Sequence, residues 1–374
     1  MTSASHRPQS MDEIIAAVRA APQVMPVGGG TKTGVHRAAP PAAVRLDMTG
    51  YAGIIEYEPG EYTFTARAGT TVAAMRDTLA IHGQYLPFDP PLAAAGSTLG
   101  GVAASGLSGS ARQRYGGVRD FLIGVRLVDG TGRDVRGGGK VVKNAAGFDL
   151  PKLMVGSLGQ LGVLTELSFK VFPEPAAYAT LRVPFPDLAA AHAAMAKLTA
   201  MPLDLEALDI FVHQGAELRV RLGGLPTTLP ARMDRVRAAV GDGDLLDGDA
   251  ERAFWADVNA FAWADAATLV KIPLSPTLLD RVETQLARRG APRLYSAGAA
   301  VAWCALDGDV TALHAWLADE GLAGLVVRAD DATSVGPGPL LGAYPGRALF
   351  ARVKRTLDPQ GRFPDFIDAP VAVA

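Results

Sequence analysis

The chain has 374 residues, 49% of them hydrophobic and 20% charged, and a net charge of −2. That is long enough for two domains with a real core, and too near neutrality for nucleic acid or an anionic membrane surface to be a main partner. A single cysteine, Cys304, excludes an intrachain disulfide and a cysteine-ligated iron–sulfur cluster held by this chain alone, and it fits a reducing compartment. No apolar leader opens the sequence and no run is long enough to span a bilayer, so the expected location is the cytoplasm.

Ser10, with Glu13 three residues on, marks the start of a helix over 11–20. The apolar run Val24-Met25-Pro26-Val27 reads as a strand and feeds into Gly28-Gly29-Gly30-Thr31-Lys32-Thr33-Gly34. A strand running into a glycine loop presents backbone N–H groups to a phosphate, although three glycines also suit a plain flexible loop. The spacing matches neither a phosphate-binding Gly-x-x-x-x-Gly-Lys-Ser/Thr loop nor a Gly-x-Gly-x-x-Gly turn opening a helix, so a nucleoside triphosphatase and a Rossmann fold both lose support. Short β runs at 44–48, 54–57 and 62–66 follow, then a helical pattern over 71–82 with Val72, Met75 and Leu79 on one face.

The stretch 87–106, PFDPPLAAAGSTLGGVAASG, is almost free of charge and dense in Gly, Ala and Ser. Gly96, Gly100, Gly101 and Gly106 leave N–H groups unshielded, and Ser97, Thr98 and Ser105 add hydroxyls; such a run forms an anion nest or a tightly packed turn and helix. Further on, 122–128 and 133–136 read as a hairpin about Asp129-Gly130-Thr131-Gly132. The phrase Lys143-Asn144-Ala145-Ala146-Gly147-Phe148-Asp149 leads to Gly159, Gly162 and a strand over 163–171, and Pro173 and Pro175 punctuate a boundary.

From 176 to 340 the order strand, helix, strand, strand, helix occurs at 180–240. After an acidic, glycine-rich linker at 241–249, a similar order recurs at 268–328. This predicts two α/β units of βαββ type, with helices on one face of an antiparallel sheet. A last amphipathic helix over 346–357 is stopped by Asp358-Pro359.

Taken together, residues 27–34, 58–69, 87–106 and 143–166 resemble the FAD-binding domain of the vanillyl-alcohol oxidase / p-cresol methylhydroxylase superfamily, in that family's order over the first half of the chain. Within it, the Lys143–Asp149 phrase, the short chain and the second half resemble the FAD-binding E subunits of bacterial glycolate oxidases. The resemblance implies an α+β fold with three parts. A two-subdomain FAD-binding domain of PCMH type would span 1–175, a reduced α/β cap with an antiparallel sheet 176–340, and a segment returning to the FAD domain 341–374. It implies that Gly28, Gly29, Gly30, Thr31 and Lys32 hold the FAD pyrophosphate, with Val27 and Pro87 bordering these loops. Gly96, Ser97, Thr98, Gly100, Gly101, Ser105 and Gly106 would line the pyrophosphate and flavin, and Asp89 the ribityl region. Gly162 and Val163 would lie on the adenine side, and Lys143, Asn144 and Phe148 near the ring.

Larger 2-hydroxy-acid dehydrogenases of this superfamily carry a His-x-His strand as proton acceptor. None of the six histidines here, His6, His36, His82, His192, His213 and His314, is paired that way, and no metal site is evident. Asp307-Gly308-Asp309 reads as a turn. The glycine loop holds no histidine, and His36 lies beyond it, so FAD is expected to be bound without a covalent link. The implied function is that of an FAD-bearing subunit of a glycolate oxidase complex, beside a larger FAD-containing subunit and an iron–sulfur subunit. Such a chain would associate with the inner face of a membrane at most peripherally, through its partners. The alternatives are a self-sufficient FAD-linked oxidoreductase of a 2-hydroxy acid or small alcohol, and a non-catalytic assembly subunit with a degenerate flavin site.

Overall fold

The computed structural model describes residues 5–37, 42–139, 149–264, 268–329 and 338–367. Ser10 caps the helix Met11–Ala20, its Oγ accepting from the Glu13 N–H at 3.2 Å, while Ile14 and Val18 on the inner face are buried. A three-stranded parallel sheet forms from Ser5–His6, Val44–Asp47 and Val24–Val27, in that spatial order. Five antiparallel strands form the second sheet, in the order Ile54–Glu58, Thr63–Arg67, Val163–Lys170, Leu122–Val128 and Asp134–Gly138. Behind it, Phe64, Phe88 and Phe169 stack with ring centroids 5.5–5.8 Å apart; all three are fully buried, each burial worth about 3 kcal/mol. The two sheets are the walls between which the candidate site lies.

The second half builds the largest sheet of the molecule. Nine strands between Ala177 and Gly342 pair antiparallel throughout. Ala177–Phe185, Ala216–Gly224 and Leu205–Val212 form one unit, and Thr268–Pro273, Val301–Leu306 and Arg293–Ser296 the other. The units meet where Leu205–Val212 pairs with Arg293–Ser296, so their order runs in mirror sense about that seam. Four helices, Leu188–Thr199, Leu229–Val240, Leu279–Ala287 and Thr311–Asp319, bury their apolar stripes on one face. Period-2 alternation decides which residues face that core: Val270 and Ile272 do, while Leu269 and Lys271 point to the opposite face, toward the first half of the chain.

The paired βαββ units are present, with one difference. The segment expected to be a linker at 241–249 is the edge strand Asp244–Asp247 and the start of the helix Gly248–Ala260, whose Trp255 and Val258 cover the inner face. Asp249 of this segment lies with Glu251 in the helix's first turn, where both suit the dipole, and the acidic, glycine-rich approach disguised a strand and a helix start as a linker.

The helix Arg347–Leu357 and the segment after it pack on the first half. Lys354 Nζ donates to the Gln160 and Phe363 carbonyls at 2.8 and 3.1 Å and to Asp358 Oδ2 at 3.0 Å, a buried pair with its lone pairs satisfied. Asp358 also accepts from the Arg362 and Phe363 N–H groups, closing the turn. No helix among the described residues is long and apolar enough to cross a membrane.

Candidate functional site

The strand Val24–Val27 delivers the glycine loop into the gap between the two small sheets. There it interlocks with the loop before the helix Leu99–Ser105. A Cβ on Gly28 would overlap the Thr98 hydroxyl, and one on Gly29 the Gly96 carbonyl oxygen, so two backbones touch where side chains would hold them apart. Thr98 caps the nest helix, its Oγ1 accepting from the Gly101 N–H at 3.2 Å. Ser105 turns its hydroxyl back onto the Gly101 carbonyl at 2.7 Å.

Between these loops and the strand start at Val163 lies a cleft of about 610 Å³. One part is walled by Met25, Pro26, Met48, Ala68, Gly162 and Leu164, and another by Val35, Ala104 and Leu158. The polar groups are few: Lys32, His36, Thr98 and Ser105. Lys32 is 6% exposed and donates to Ser97 Oγ at 2.5 Å, with no carboxylate within ion-pair distance among the described residues. Burial pulls its ammonium down to about 8. His36 falls to about 4, first through burial and then through Arg45 and Lys32, and is neutral at pH 7.

An ammonium buried without a carboxylate partner among the described residues, beside the Gly28–Gly30 loop and between apolar walls, fits a ligand carrying an anionic centre between flat apolar ends. The N–H groups of Gly96, Gly100, Gly101 and Gly106, expected from the sequence to form an anion nest, instead donate to the Ala93 carbonyl, the Ala68 carbonyl, Thr98 Oγ1 and the Val102 carbonyl. Gly101 supplies the geometric check. A Cβ there clears the backbone, standing 3.2 Å from Thr98 Oγ1 and 3.7 Å from Lys32 Nζ, inside the cleft. The residues present fit FAD.

Of the predicted site residues, Val27 sits buried at the mouth of the glycine loop, and Gly28, Lys32, Thr98, Gly100, Gly101, Ser105 and Gly162 line the cleft with it. Gly29 and Gly96 act one layer back, by letting the loops meet. Thr31, Gly30, Pro87, Gly106 and Val163 do not line the cleft, and Ser97 reaches it only by accepting from Lys32. Asp89 faces a second cavity of about 1000 Å³ between the two halves, accepting from Arg76 at 3.1 Å and Asn259 at 2.7 Å. Lys143, Asn144 and Phe148 lie outside the described residues.

His36 overturns one reading. The glycine loop does open a helix, the five-residue Thr33–Arg37, and that turn brings His36 back to the cleft wall. The helix is held from the second half, where Thr33 Oγ1 donates to the Ala329 carbonyl at 2.9 Å. The apolar liners Val35 and Leu158 carried no sequence signal, because their role depends on packing with Trp303 and Leu325 of the large sheet.

Protonation at Lys32 has opposite consequences for binding and folding. Below about pH 8 its charge attracts an anion, so FAD affinity is expected to weaken by up to tenfold between pH 8 and 9. The unfolded chain keeps this proton up to its ordinary value of 10.5, so stability of the ligand-free protein rises across pH 8 to 10.5. Fluorescence titration of FAD and thermal melts over this range check the two signs.

The cleft thus lies between two small sheets of a mixed α+β first half, beside a second half built on one helix-backed antiparallel sheet. Residues 3–138 match the family model described as an FAD binding domain. It is 40% identical over 195 residues to glycolate oxidase subunit GlcE of Escherichia coli K12, covering 52% of this chain and 55% of that protein. Over 185 residues it is 32% identical to glycolate oxidase subunit GlcD of Bacillus subtilis 168, covering 48% of this chain and 38% of that one. The chain thus spans about half or less of the length of these relatives. Among solved structures, two crystal forms of alkyldihydroxyacetonephosphate synthase superpose with TM-scores of 0.65 and 0.67 at 17% identity, covering 96% of this chain and 74% of theirs.

Proposed function

We propose that the chain is an FAD-bearing subunit of a glycolate oxidase complex, which oxidises glycolate to glyoxylate beside a larger FAD subunit and an iron–sulfur subunit. The observation that carries the reading is the cleft with Lys32 at the meeting of two glycine loops, buried and without a carboxylate partner among the described residues. The likeness to GlcE and GlcD supports the substrate class. When bound, FAD supplies the two-electron acceptor that oxidation of a CH–OH group needs.

This chain's own residues bind and orient. Lys32, with the N–H groups of the Gly28–Gly30 loop, would hold the pyrophosphate. Val35, Ala104 and Leu158 would exclude water from one end of the cleft. Gly162 and Leu164 would take the adenine side. His36, neutral and part-buried, is a hydrogen-bonding group on the wall.

The test is purification from the native host and acid precipitation. A yellow protein should release its FAD to the supernatant, co-purify with its partners, and bleach with glycolate when they are present. Colour retained in the pellet on a peptide carrying His36 refutes non-covalent binding. Full glycolate turnover by the isolated chain with an artificial acceptor refutes the subunit reading.

A further inference from the structure

The glycine loop does not stand on the first half of the chain alone. The helix Thr33–Arg37, which carries Val35 and His36 to the cleft wall, lies against the end of the strand Ala323–Arg328 of the large sheet. One hydroxyl joins them in both directions. Thr33 Oγ1 donates to the Ala329 carbonyl at 2.9 Å and accepts from the Ala329 N–H at 3.0 Å, as a neighbouring backbone would in a sheet. Ala329 itself is buried. The next residue has no side chain: a Cβ on Gly34 would stand 2.5 Å from the Val326 carbonyl oxygen, so helix and strand meet backbone to backbone. Val35 then packs in one apolar cluster with Leu325, Val327 and Trp303.

Thr33 and Gly34 do not line the cleft, but the residues on either side of them do. Lys32 precedes Thr33 directly. Its carbonyl accepts from the Val35 and His36 N–H groups at 3.1 and 3.4 Å, which ties the lysine backbone to the helix. From that anchored backbone its ammonium reaches Ser97. A helix of five residues is too short to be stable by itself, and a lysine stem is flexible. The placement of the Lys32 ammonium therefore depends on the strand to which the helix is fastened.

We propose that Thr33 is a positioning residue for the cofactor: through its two hydrogen bonds to Ala329, the large sheet of the second half holds Lys32 in place for FAD. The inference rests on FAD occupying the cleft. Binding of FAD and docking of the second half on the glycine loop are then linked, each favouring the other by the same factor.

The experiment is a fluorescence titration with FAD of the wild-type chain, Thr33→Val, Thr33→Ser and Gly34→Ala, with melts of each ligand-free protein. Valine keeps the shape and removes both hydrogen bonds, so the FAD dissociation constant should rise about tenfold. Serine keeps the hydroxyl and should hold it within about threefold of wild type. Gly34→Ala, which forces helix and strand apart with the hydroxyl intact, should also weaken binding. A merely structural contact would lower the melting temperature of Thr33→Val and leave the dissociation constant of the folded protein unchanged, and that result overturns the proposal. In a Lys32→Met background the effect of Thr33→Val should shrink to about twofold or less, because the group being positioned is gone; full additivity overturns it.

Should Thr33→Val fail to fold, hydrogen exchange in the wild type decides. FAD should slow exchange of the Ala329 amide more than that of the amides of Ala177–Phe185, toward the far edge of the sheet. Equal protection of the two overturns the proposal. A wild-type chain that neither carries nor rebinds FAD overturns both this inference and the reading beneath it, whereas a chain that binds FAD equally well with Thr33→Val overturns this inference alone.

Discussion

Replacing Gly101 by valine is expected to give a folded protein that no longer retains FAD. The new Cβ meets no backbone; it stands 3.2 Å from Thr98 Oγ1 and 3.7 Å from Lys32 Nζ, and the two γ-methyls extend into the cleft. Gly101 lies inside the helix Leu99–Ser105, so valine adopts the backbone without penalty beyond its modest helix propensity. The loss therefore falls on the proposed ligand, which the γ-methyls would exclude from the space beside the Lys32 ammonium. Far-ultraviolet dichroism and the melting temperature of the ligand-free protein should stay near wild type, while flavin per chain drops at least a hundredfold. Retained yellow colour at full stoichiometry would remove this glycine from the site.

Gly29→Val should fail in a different way. Its Cβ would overlap the Gly96 carbonyl, and a backbone carbonyl cannot rotate aside as a side-chain tip does. The two loops must part, which breaks the contact that seats Lys32 on Ser97. The expected cost exceeds about 3 kcal/mol, at the upper end for overpacking, and appears in the ligand-free protein as a lower melting temperature. Flavin loss follows from the loosened loops. A Gly29→Val protein with wild-type stability and no flavin would show instead that Gly29 lies against the cofactor directly. The two glycines look alike on paper, and this pair of variants separates a residue that shapes the cleft from one that lines it.

The glycine loops, the Ser10 cap, the hydrophobic alternation of the strands and the repeated βαββ order were legible because each depends on neighbours a few residues away. Period 2 against period 3.6, a hydroxyl before a helix and a glycine after a strand are local constraints, and the chain obeys them in the folded protein. The helix Gly248–Ala260 escaped because its opening turn is acidic and preceded by glycines, a composition that a solvated linker shares.

What the sequence by itself determined is most of the elements and the two glycine-rich loops. Tertiary structure alone decided which glycine faces the cleft and which faces another backbone, that His36 returns to the wall, and that Asp89 turns to a different cavity. It also left two lysines buried without a carboxylate partner among the described residues. Lys32 meets Ser97 across 65 residues of sequence and Lys271 meets Gly106 across 165. The physical reason is that burial and close approach are properties of pairs brought together by folding: a lysine's desolvation depends on which distant strand covers it, and no local pattern encodes that partner.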